Sequence, residues 1–263
     1  MEWSFINVIT YFMIYSFGGW ALESLYRSFC EKRWINTGFL CGPFCPIYGV
    51  GAILMLLFLK GLNGNIFALF ISAFILLSTW EYIVGICLEK VFKTRYWDYS
   101  DHKINIQGRV CLFNSVAWGV LGTLFVMYIH PFIVEKIVLL NPSILKITVY
   151  ICFIIFLVDT IISVVKTKNI KETLAKIEEL NNQIREKIEE LNKEDLKKDI
   201  LENLQKRLYV LNKRKNRIIK HMYKRVYRLK KAFPELQSKE FTEILNKGIE
   251  LIKKEKKWYT KYI

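Results

Sequence analysis

The sequence predicts an all-α membrane protein: a five-span transmembrane helix bundle followed by a C-terminal cytoplasmic helical hairpin or coiled-coil domain. Of the 263 residues, 52% are apolar and 15% aromatic, and long charge-free stretches alternate with short charged connectors up to Val165. Residues 1–165 carry 11 Lys or Arg against 9 Asp or Glu, whereas residues 166–263 carry 28 against 15, a net +13. Soluble domains rarely combine such features, so we expect a transmembrane domain (1–165) and a basic cytoplasmic helical domain (166–263).

The five predicted spans are residues 5–26, 46–62, 65–88, 110–130 and 144–165. A helix needs about twenty apolar residues to cross the hydrocarbon layer, so the second span is short. The apolar segment before it, Gly38–Pro46, contains two prolines and two glycines and cannot form a regular helix. Irregular backbone at membrane depth must be buried in protein or line a watery cavity, so we expect this segment to be re-entrant or interfacial.

The distribution of Lys and Arg over the connectors predicts the orientation. Three lie in residues 27–33, one follows Leu59, five lie in residues 90–109 and two in residues 131–146. By the positive-inside rule the N-terminus is outside and the C-terminus is cytoplasmic. The first residues have no basic region and no small-residue cleavage site after the apolar run, so we do not expect a cleavable signal peptide.

The apolar pattern of the tail sequence predicts two long helices and a shorter one. Its first apolar series has the 4–3 spacing of a coiled-coil seam, with Asn181 as the polar member that fixes register. That series is Ile170, Leu174, Ile177, Asn181, Ile184, Ile188 and Leu191. A turn at 192–195 and a second series from Leu201 to Met222 predict an antiparallel hairpin, and a homodimer through the first seam is the alternative. Pro234 should end the second helix, and an amphipathic helix should start near Ser238.

The basic run from Lys213 to Lys231 contains ten Lys or Arg. Its first interpretation is a helix face that contacts anionic inner-leaflet lipid. A basic helix tethered to a membrane already has an acidic surface beside it, so nucleic-acid binding is disfavoured.

Metal, cofactor and nucleotide signatures are weak or missing in the sequence. Cys30, Cys41, Cys45 and Cys111 fall at the predicted cytoplasmic end, where thiols stay reduced, and only His102 lies near them in sequence. We therefore predict no metal and no cofactor. No P-loop, G-x-S-x-G or H-E-x-x-H motif is present, so the catalytic residues are unknown and a non-enzyme is favoured.

Three carboxylates within the predicted spans are the first candidates for function, because charge inside a membrane is costly. Glu23, Glu81 and Asp159 all fall in cytoplasmic halves, and Glu81 and Asp159 lie roughly 12 Å and 10 Å deep at 1.5 Å per residue. The helix dipole disfavours carboxylates at these C-terminal ends, so each needs a partner. Arg27, one turn after Glu23, is one candidate, and purely structural ion pairs or hydrogen bonds are the alternative.

Further candidates line the same predicted level. The full set of substrate-pathway candidates is Glu23, Tyr48, Glu81, Asp98, Asn105, Arg109, Asn114 and Asp159. Spans two and four begin near Pro46 and Arg109, and their free N–H groups suit an anionic group. We expect an inward-opening polar cavity with acidic walls.

Several of these residues belong to motifs in a fixed order: Trp20-x-x-Glu23, Gly38-Phe39-Leu40-x-Gly42-Pro43-x-x-Pro46-Ile47-Tyr48-Gly49, Glu81-Tyr82, Leu88-Glu89, Trp97-Asp98-Tyr99-Ser100, Asn105-Ile106-x-Gly108 and Trp118-Gly119. Over roughly residues 8–125 the chain resembles the bacterial membrane proteins named putative type IV ABC-transporter permeases. The resemblance implies a multi-pass protein of a bacterial cell membrane, a separate ATPase subunit and dimerisation. The family's motif positions carry over to Trp20, Glu23, Gly42, Pro43, Tyr48, Glu81, Trp97, Asp98, Tyr99, Asn105 and Gly108, of which Trp20, Gly42, Pro43, Trp97, Tyr99 and Gly108 are expected to have structural roles.

Three functions are compatible with these patterns. The first is the membrane subunit of an ABC-type transporter, with cytoplasmic connectors at 27–45 and 90–109 that dock an ATPase. The second is an inner-leaflet enzyme acting on an anionic lipid or lipid-linked substrate, with Glu81 or Asp98 as acid or base. The third is a membrane-anchored scaffold or sensor that works through its coiled-coil tail.

Overall fold

The computed structural model describes residues 4–62, 64–191 and 198–262. The chain divides into two compact units. The first comprises Met1–Val164 together with Lys231–Leu236, and the second comprises Val165–Lys230 and Gln237–Ile263. A short segment of the tail therefore belongs to the unit that holds the apolar helices.

The first unit is built from helices in the order the apolar stretches predict. They are α1 (Phe5–Cys30), α2 (Pro46–Phe58), α3 (Ile66–Phe92), α4 (Leu112–Leu124), α5 (His130–Val138) and α6 (Pro142–Lys168), whose last residues enter the second unit. A 3-10 turn at Lys60–Leu62 follows α2, and a two-stranded antiparallel hairpin, β1 (Asn105–Ile106) with β2 (Val110–Cys111), precedes α4. The Asn65 side chain caps α3 by accepting from the Ala68 N–H, as Asn commonly does at helix starts.

Four helical stretches of the described residues are long and apolar enough to cross a membrane: Phe5–Cys30, Ile66–Phe92, Leu112–Val138 and Pro142–Lys168. Helix α2 is apolar but has only 13 residues. It ends at Phe58, four residues before the end of the predicted second span, because the chain tightens into the 3-10 turn. The prediction of an all-helical membrane protein is confirmed at this level.

The fourth apolar stretch runs eight residues beyond its predicted end at residue 130. Pro131 lies in the first turn of α5, where its missing N–H is tolerated, and the π-helical turn Phe125–Ile129 joins α4 to α5. The helical stretch therefore continues past Pro131 and does not end there.

The first four apolar helices pack antiparallel to their sequence neighbours. Trp80 of α3 donates from Nε1 to the carbonyl of Ile47 in α2 at 2.9 Å, and Ser78 of α3 donates to Ser115 of α4 at 2.7 Å. Their common core includes Tyr11, Tyr15, Leu56, Leu69, Ala73 and Phe125. One end of this bundle, where α1 and α3 finish and α2 and α4 begin, carries the interhelical loops 31–45 and 93–111, and we call it the polar end.

The second unit contains α7 (Ile170–Leu191), α8 (Lys198–Ala232) and α9 (Lys239–Tyr262). Ile170, Ile177 and Ile184 of the predicted seam are buried within the single chain, whereas Ile188 is 44% exposed. The predicted turn at 192–195 lies outside the described residues. Helix α8 ends two residues before Pro234, and α9 starts directly after Ser238, as the sequence predicts.

Candidate functional site

Glu81 is the buried carboxylate on which the polar end is organised. It is only 6% exposed. Its Oε2 accepts a hydrogen bond from Trp118 Nε1 at 2.8 Å, and its Oε1 accepts one from the Tyr99 hydroxyl at 3.2 Å. The Asn114 side chain hydrogen-bonds to the same hydroxyl. Among the described residues Glu81 forms no ion pair, and both side chains that donate to its oxygens, Trp118 and Tyr99, are neutral.

Glu23 is reached by a similar donor from α2. The Tyr48 hydroxyl donates to Glu23 Oε2 at 3.0 Å, and the Tyr48 ring lies 6.0 Å from the Trp118 ring between centroids. A continuous path of contacts therefore runs from Glu23 in α1 through α2 and α4 to Glu81 in α3. We call these five residues the acid–aromatic cluster: Glu23, Tyr48, Glu81, Tyr99 and Trp118.

Glycine at position 19 makes this contact path sterically feasible. A Cβ atom on Gly19 would lie 2.3 Å from Tyr48 Cγ, closer than any real side chain tolerates. The neighbouring Gly18 has nothing within 4 Å of its would-be Cβ. Of two adjacent glycines, only one is required by packing.

The predicted partner of Glu23 is engaged elsewhere. Arg27 Nη2 donates to Glu31 Oε1 at 2.8 Å and to the carbonyl of Lys231 at 3.1 Å. This i, i+4 pair is half-buried, with 23% of the Arg27 side chain and 30% of the Glu31 side chain exposed, so the guanidinium keeps partial access to water. Among the described residues, the carboxylate that Arg27 reaches within ion-pair distance is that of Glu31 and not that of Glu23.

Asp159 of α6 contacts a different set of groups. Its Oδ2 accepts from the Gly42 N–H at 2.7 Å, and its Oδ1 accepts from the Cys41 N–H at 3.3 Å. Ser163, one turn later, donates to Oδ1 at 3.2 Å. Asp159 is half-buried, and backbone N–H groups make strong hydrogen bonds to a carboxylate, so this side chain fixes the loop 31–45 against α6.

The motif residues Trp20, Gly42 and Pro43 shape that same loop. Trp20 Nε1 donates to Asn36 Oδ1 at 2.7 Å, and Asn36 in turn donates to the Cys41 carbonyl at 3.0 Å. Pro43 is the central residue of a turn in which the Phe44 N–H reaches the Gly42 carbonyl at 2.9 Å, and its fixed φ suits such a turn. A Cβ on Gly42 would meet the Asp159 carboxylate at 3.1 Å.

Asp98 folds the loop 93–111 that delivers Tyr99 to Glu81. Its Oδ1 accepts from Arg95 at 3.0 Å, from the Ser100 N–H at 3.0 Å and from the Ser100 hydroxyl at 2.6 Å. Partial burial would raise the pKa of the Asp98 carboxyl, but these hydrogen bonds and the Arg95 charge outweigh it and hold the pKa below its usual value. Asp98 is therefore an ionised loop anchor.

Asn105 and Gly108 complete the turn. Asn105 Oδ1 accepts from the Gly108 N–H at 2.8 Å, and Gly108 adopts a left-handed φ of +69°. A Cβ on Gly108 would lie 2.4 Å from Asp98 Oδ1, so glycine is needed both for φ and for space. The Tyr99 N–H then pairs with the Gly108 carbonyl at 2.7 Å.

Arg109 closes the loop onto α3. Its guanidinium pairs with Glu89, which also binds Arg95 at 2.9 Å, and its carbonyl accepts from Trp97 Nε1 at 2.9 Å. From the sequence, Asp98, Asn105 and Arg109 are predicted as substrate-pathway residues. The structure places them around the turn that positions Tyr99.

The sequence did not indicate two further contact sites. The Tyr96 ring, 2% exposed, packs edge-on against Phe233 with centroids 5.1 Å apart, and it also contacts Phe39 and Phe92. A single aromatic residue beside Pro234 was the available signal. In the apolar core, Tyr15 and His130 share a buried hydrogen bond of 2.7 Å at the π-helical turn, and a histidine inside an apolar run was the available signal.

Within the described residues, no group of three or more His, Cys, Asp or Glu side chains is arranged to hold a metal ion. No curated protein and no solved structure matches the chain. A family model described as "Putative ABC-transporter type IV" matches residues 10–164, more than half of the chain. The match extends beyond the motif region into α6, as far as residue 164, and it does not include the tail. The chain thus belongs to this ABC-transporter-related family and is a multi-pass membrane protein.

Proposed function

We propose that the chain is the membrane subunit of an ABC-type transporter, with a polar pathway that opens at the polar end of the bundle. The observation that carries this proposal is the acid–aromatic cluster, in which four helices each contribute a side chain to one path of contacts. Two carboxylates inside an apolar bundle are costly to bury, so they are the first candidates for functional residues. A path shared by four helices changes when any one of them moves, as alternating access requires.

The proposed topology has five crossings, with the N-terminus outside and the tail inside. Helix α2 spans about 20 Å at 1.5 Å per residue, which is shorter than a bilayer core of about 30 Å. The irregular segment before it supports a full crossing, because Ile35, Thr37 and Leu40 are at most 2% exposed. Buried irregular backbone can occupy membrane depth without leaving peptide groups in lipid.

A thiol-accessibility experiment tests this topology. Single cysteines replace Lys103 in the loop at the polar end and Lys60 in the turn after α2. In sealed, right-side-out bacterial spheroplasts, an impermeant maleimide should label position 60 and should reach position 103 only after permeabilisation. Labelling of position 103 from outside would contradict the orientation.

The loops at the polar end, 27–45 and 90–109, are the proposed docking surface for a separate ATPase subunit. The ion pair between Arg95 and Glu89 attaches the second loop to α3, the helix that carries Glu81. The test is purification of the tagged chain in mild detergent, followed by measurement of ATP hydrolysis in the isolated complex. Glu81→Gln should change the hydrolysis rate, whereas Glu135→Gln, a matched change at a carboxylate 71% exposed, should not. A chain that purifies without ATP hydrolysis in several mild detergents would count against the proposal.

The alternative of an inner-leaflet enzyme has one observation in its favour. Tyr99 and Asn114 place hydroxyl and amide groups beside the Glu81 carboxylate, and acid–base chemistry uses such groups. Lipid extracts from wild-type and Glu81→Gln strains distinguish the two functions. A lipid species that accumulates only in the variant would favour the enzyme, and identical lipids would remove it.

Homodimerisation and a scaffold function of the tail are separate proposals. Three isoleucines of the predicted seam are buried within one chain, so a dimer would have to use remaining exposed positions such as Ile188. Mass measurement in nanodiscs decides the stoichiometry. Deletion of residues 166–263 with full retention of activity would argue against a scaffold function.

A further inference from the structure

Helix α8 presents a continuous cationic face. From Asn203 to Pro234 the sequence contains no Asp or Glu, and the exposed side chains of α8 include Lys213, Arg214, Arg217 and Lys224. These four positions fall within about 100° of arc on a helix of 3.6 residues per turn and extend over about 16 Å. The face is therefore long, narrow and of one sign.

The opposite side of α8 is the packed side. Ile219, Met222, Val226 and Leu229 are at most 7% exposed and lie half a turn away from the four cations. The cationic face is thus directed outward by the packing of α8 itself.

Apolar and aromatic side chains interrupt this face. Tyr209 is 67% exposed and Val210 is 60% exposed, and Lys213 Nζ lies 5.7 Å from the centre of the Tyr209 ring. Both side chains lie beside the cations on the outward side of α8, one turn before Lys213 and Arg214. Basic residues interspersed with Tyr and Val are typical of a helix that lies in a membrane interface, where the ring and aliphatic groups enter the headgroup region.

The neighbouring helix of the same unit has the opposite character. Helix α7 contains six Glu and four Lys or Arg between Ile170 and Leu191, a net −2, whereas α8 contains 13 Lys or Arg against two acidic residues. Positive charge is therefore concentrated on one helix of the tail. The apolar helices of the same chain keep a bilayer permanently close, so its effective concentration near α8 is high.

We propose that this face of α8 binds the surface of a bilayer through anionic lipid headgroups. The proposal goes beyond transport and does not depend on it. The partner is a lipid surface because the combination of cations with exposed Tyr209 and Val210 suits a layered polar and apolar environment. An acidic protein and a nucleic acid are the competing partners, and both appear as outcomes of the test.

The test uses the full-length chain in nanodiscs of phosphatidylcholine alone and of phosphatidylcholine with 30% phosphatidylglycerol. Both leaflets have the same composition, so the result does not depend on the orientation of the chain. Lysine acetylation by a water-soluble reagent is followed by peptide mass spectrometry. Lys213 and Lys224 report on the face, and Lys176, exposed on the acidic α7, is the internal control.

With anionic lipid, Lys213 and Lys224 should be acetylated at least about fivefold more slowly, which corresponds to the contribution of one basic residue near such a surface. Lys176 should be unchanged. About 0.5 M salt should abolish the protection, because it shortens the screening length to a few ångströms. The double variant Arg214→Gln/Arg217→Gln should lose most of the protection, while Lys176→Gln/Arg185→Gln should keep it.

Equal acetylation rates in the two bilayers would overturn the proposal. The proposal would also be overturned if anionic lipid left the acetylation of Lys213 and Lys224 unchanged while added RNA or an acidic peptide slowed it in phosphatidylcholine nanodiscs. The cationic face would then bind that class of partner. If the chain proves not to be part of a transporter but Lys213 and Lys224 are still protected by anionic lipid, the proposal for α8 is supported independently of the proposed function.

Discussion

Trp118 Nε1 donates to Glu81 Oε2 at 2.8 Å, and this bond joins α4 to α3. An indole N–H can only donate, so it requires an acceptor oxygen on Glu81. The contact is therefore sensitive to both the charge and the geometry of the carboxyl group.

Replacement of Trp118 by Phe should destabilise the protein by about 1–3 kcal/mol, because it leaves a buried carboxylate oxygen without its donor. Equilibrium unfolding in mixed detergent–SDS micelles measures the free energy. In a Glu81→Gln background the same replacement should cost clearly less, since an amide oxygen loses less than a charged one. Equal costs in both backgrounds would show that the indole contributes packing alone.

The two adjacent glycines of α1 should respond in opposite ways to alanine. Gly19→Ala places a Cβ 2.3 Å from Tyr48 Cγ, so it should displace the ring from Glu23 and destabilise the protein by about 1–3 kcal/mol. Gly18→Ala has open space and should stabilise α1 by about 0.5–1 kcal/mol. The same unfolding assay compares them, and similar effects at both positions would contradict the packing of Tyr48 on Gly19.

The loop 93–111 should depend on the ionisation of Asp98. A carboxyl whose pKa is lowered by folding stabilises the fold above its unfolded pKa of about 3.9, and that contribution disappears as pH falls through the lower folded pKa. Asp98→Asn should therefore increase hydrogen exchange in the loop at pH 5–7. The difference from wild type should shrink below about pH 4, and a constant difference at all pH values would contradict an ionic anchor.

Phe233 should stabilise the unit that contains the apolar helices, although it lies in the tail sequence. Phe233→Ala removes the edge-on contact with Tyr96 and should cost about 1–2 kcal/mol. Tyr209→Ala, at a ring 67% exposed, is the control and should change stability by less than about 0.5 kcal/mol. Equal effects of the two variants would show that the Phe233 contact adds nothing to stability.

Asp159 should protect the backbone of the loop 31–45. Asp159→Asn replaces one acceptor by an N–H donor that faces the donors of Cys41 and Gly42, so the loop should loosen. Alkylation of Cys41 should become several times faster, as read by peptide mass spectrometry. Cys30, exposed at the end of α1, should react at an unchanged rate and serves as the internal control. An unchanged rate at Cys41 would show that the loop does not depend on the carboxylate.

The positions of most apolar helices could be predicted, because the length of an apolar stretch is a local property of the sequence. The stretches that became α1, α3 and α6 were located within a few residues of their ends. The predicted end of the fourth stretch was too early, because a proline in a sequence indicates the end of a helix. That Pro131 lies in the first turn of α5, directly after the π-helical turn, is visible only in the structure.

The candidate site was predicted as a list of residue types but not as contacts. Glu23, Tyr48 and Glu81 do belong to one cluster. Asp159 contacts backbone N–H groups, and Arg109 pairs with Glu89. Choosing among several nearby partners requires the crossing positions of the helices and the path of each loop, which no single segment encodes.

The sequence alone determined that this chain lies in a membrane and that its positive charge is concentrated in the tail, because hydropathy and charge are sums over neighbouring residues. Only the tertiary structure decided that Trp118 and Tyr99 bind Glu81, and that Phe233 returns to Tyr96 from 137 positions further along the chain. Such pairs form where chain segments cross in space, and their geometry depends on the packing of all the helices together.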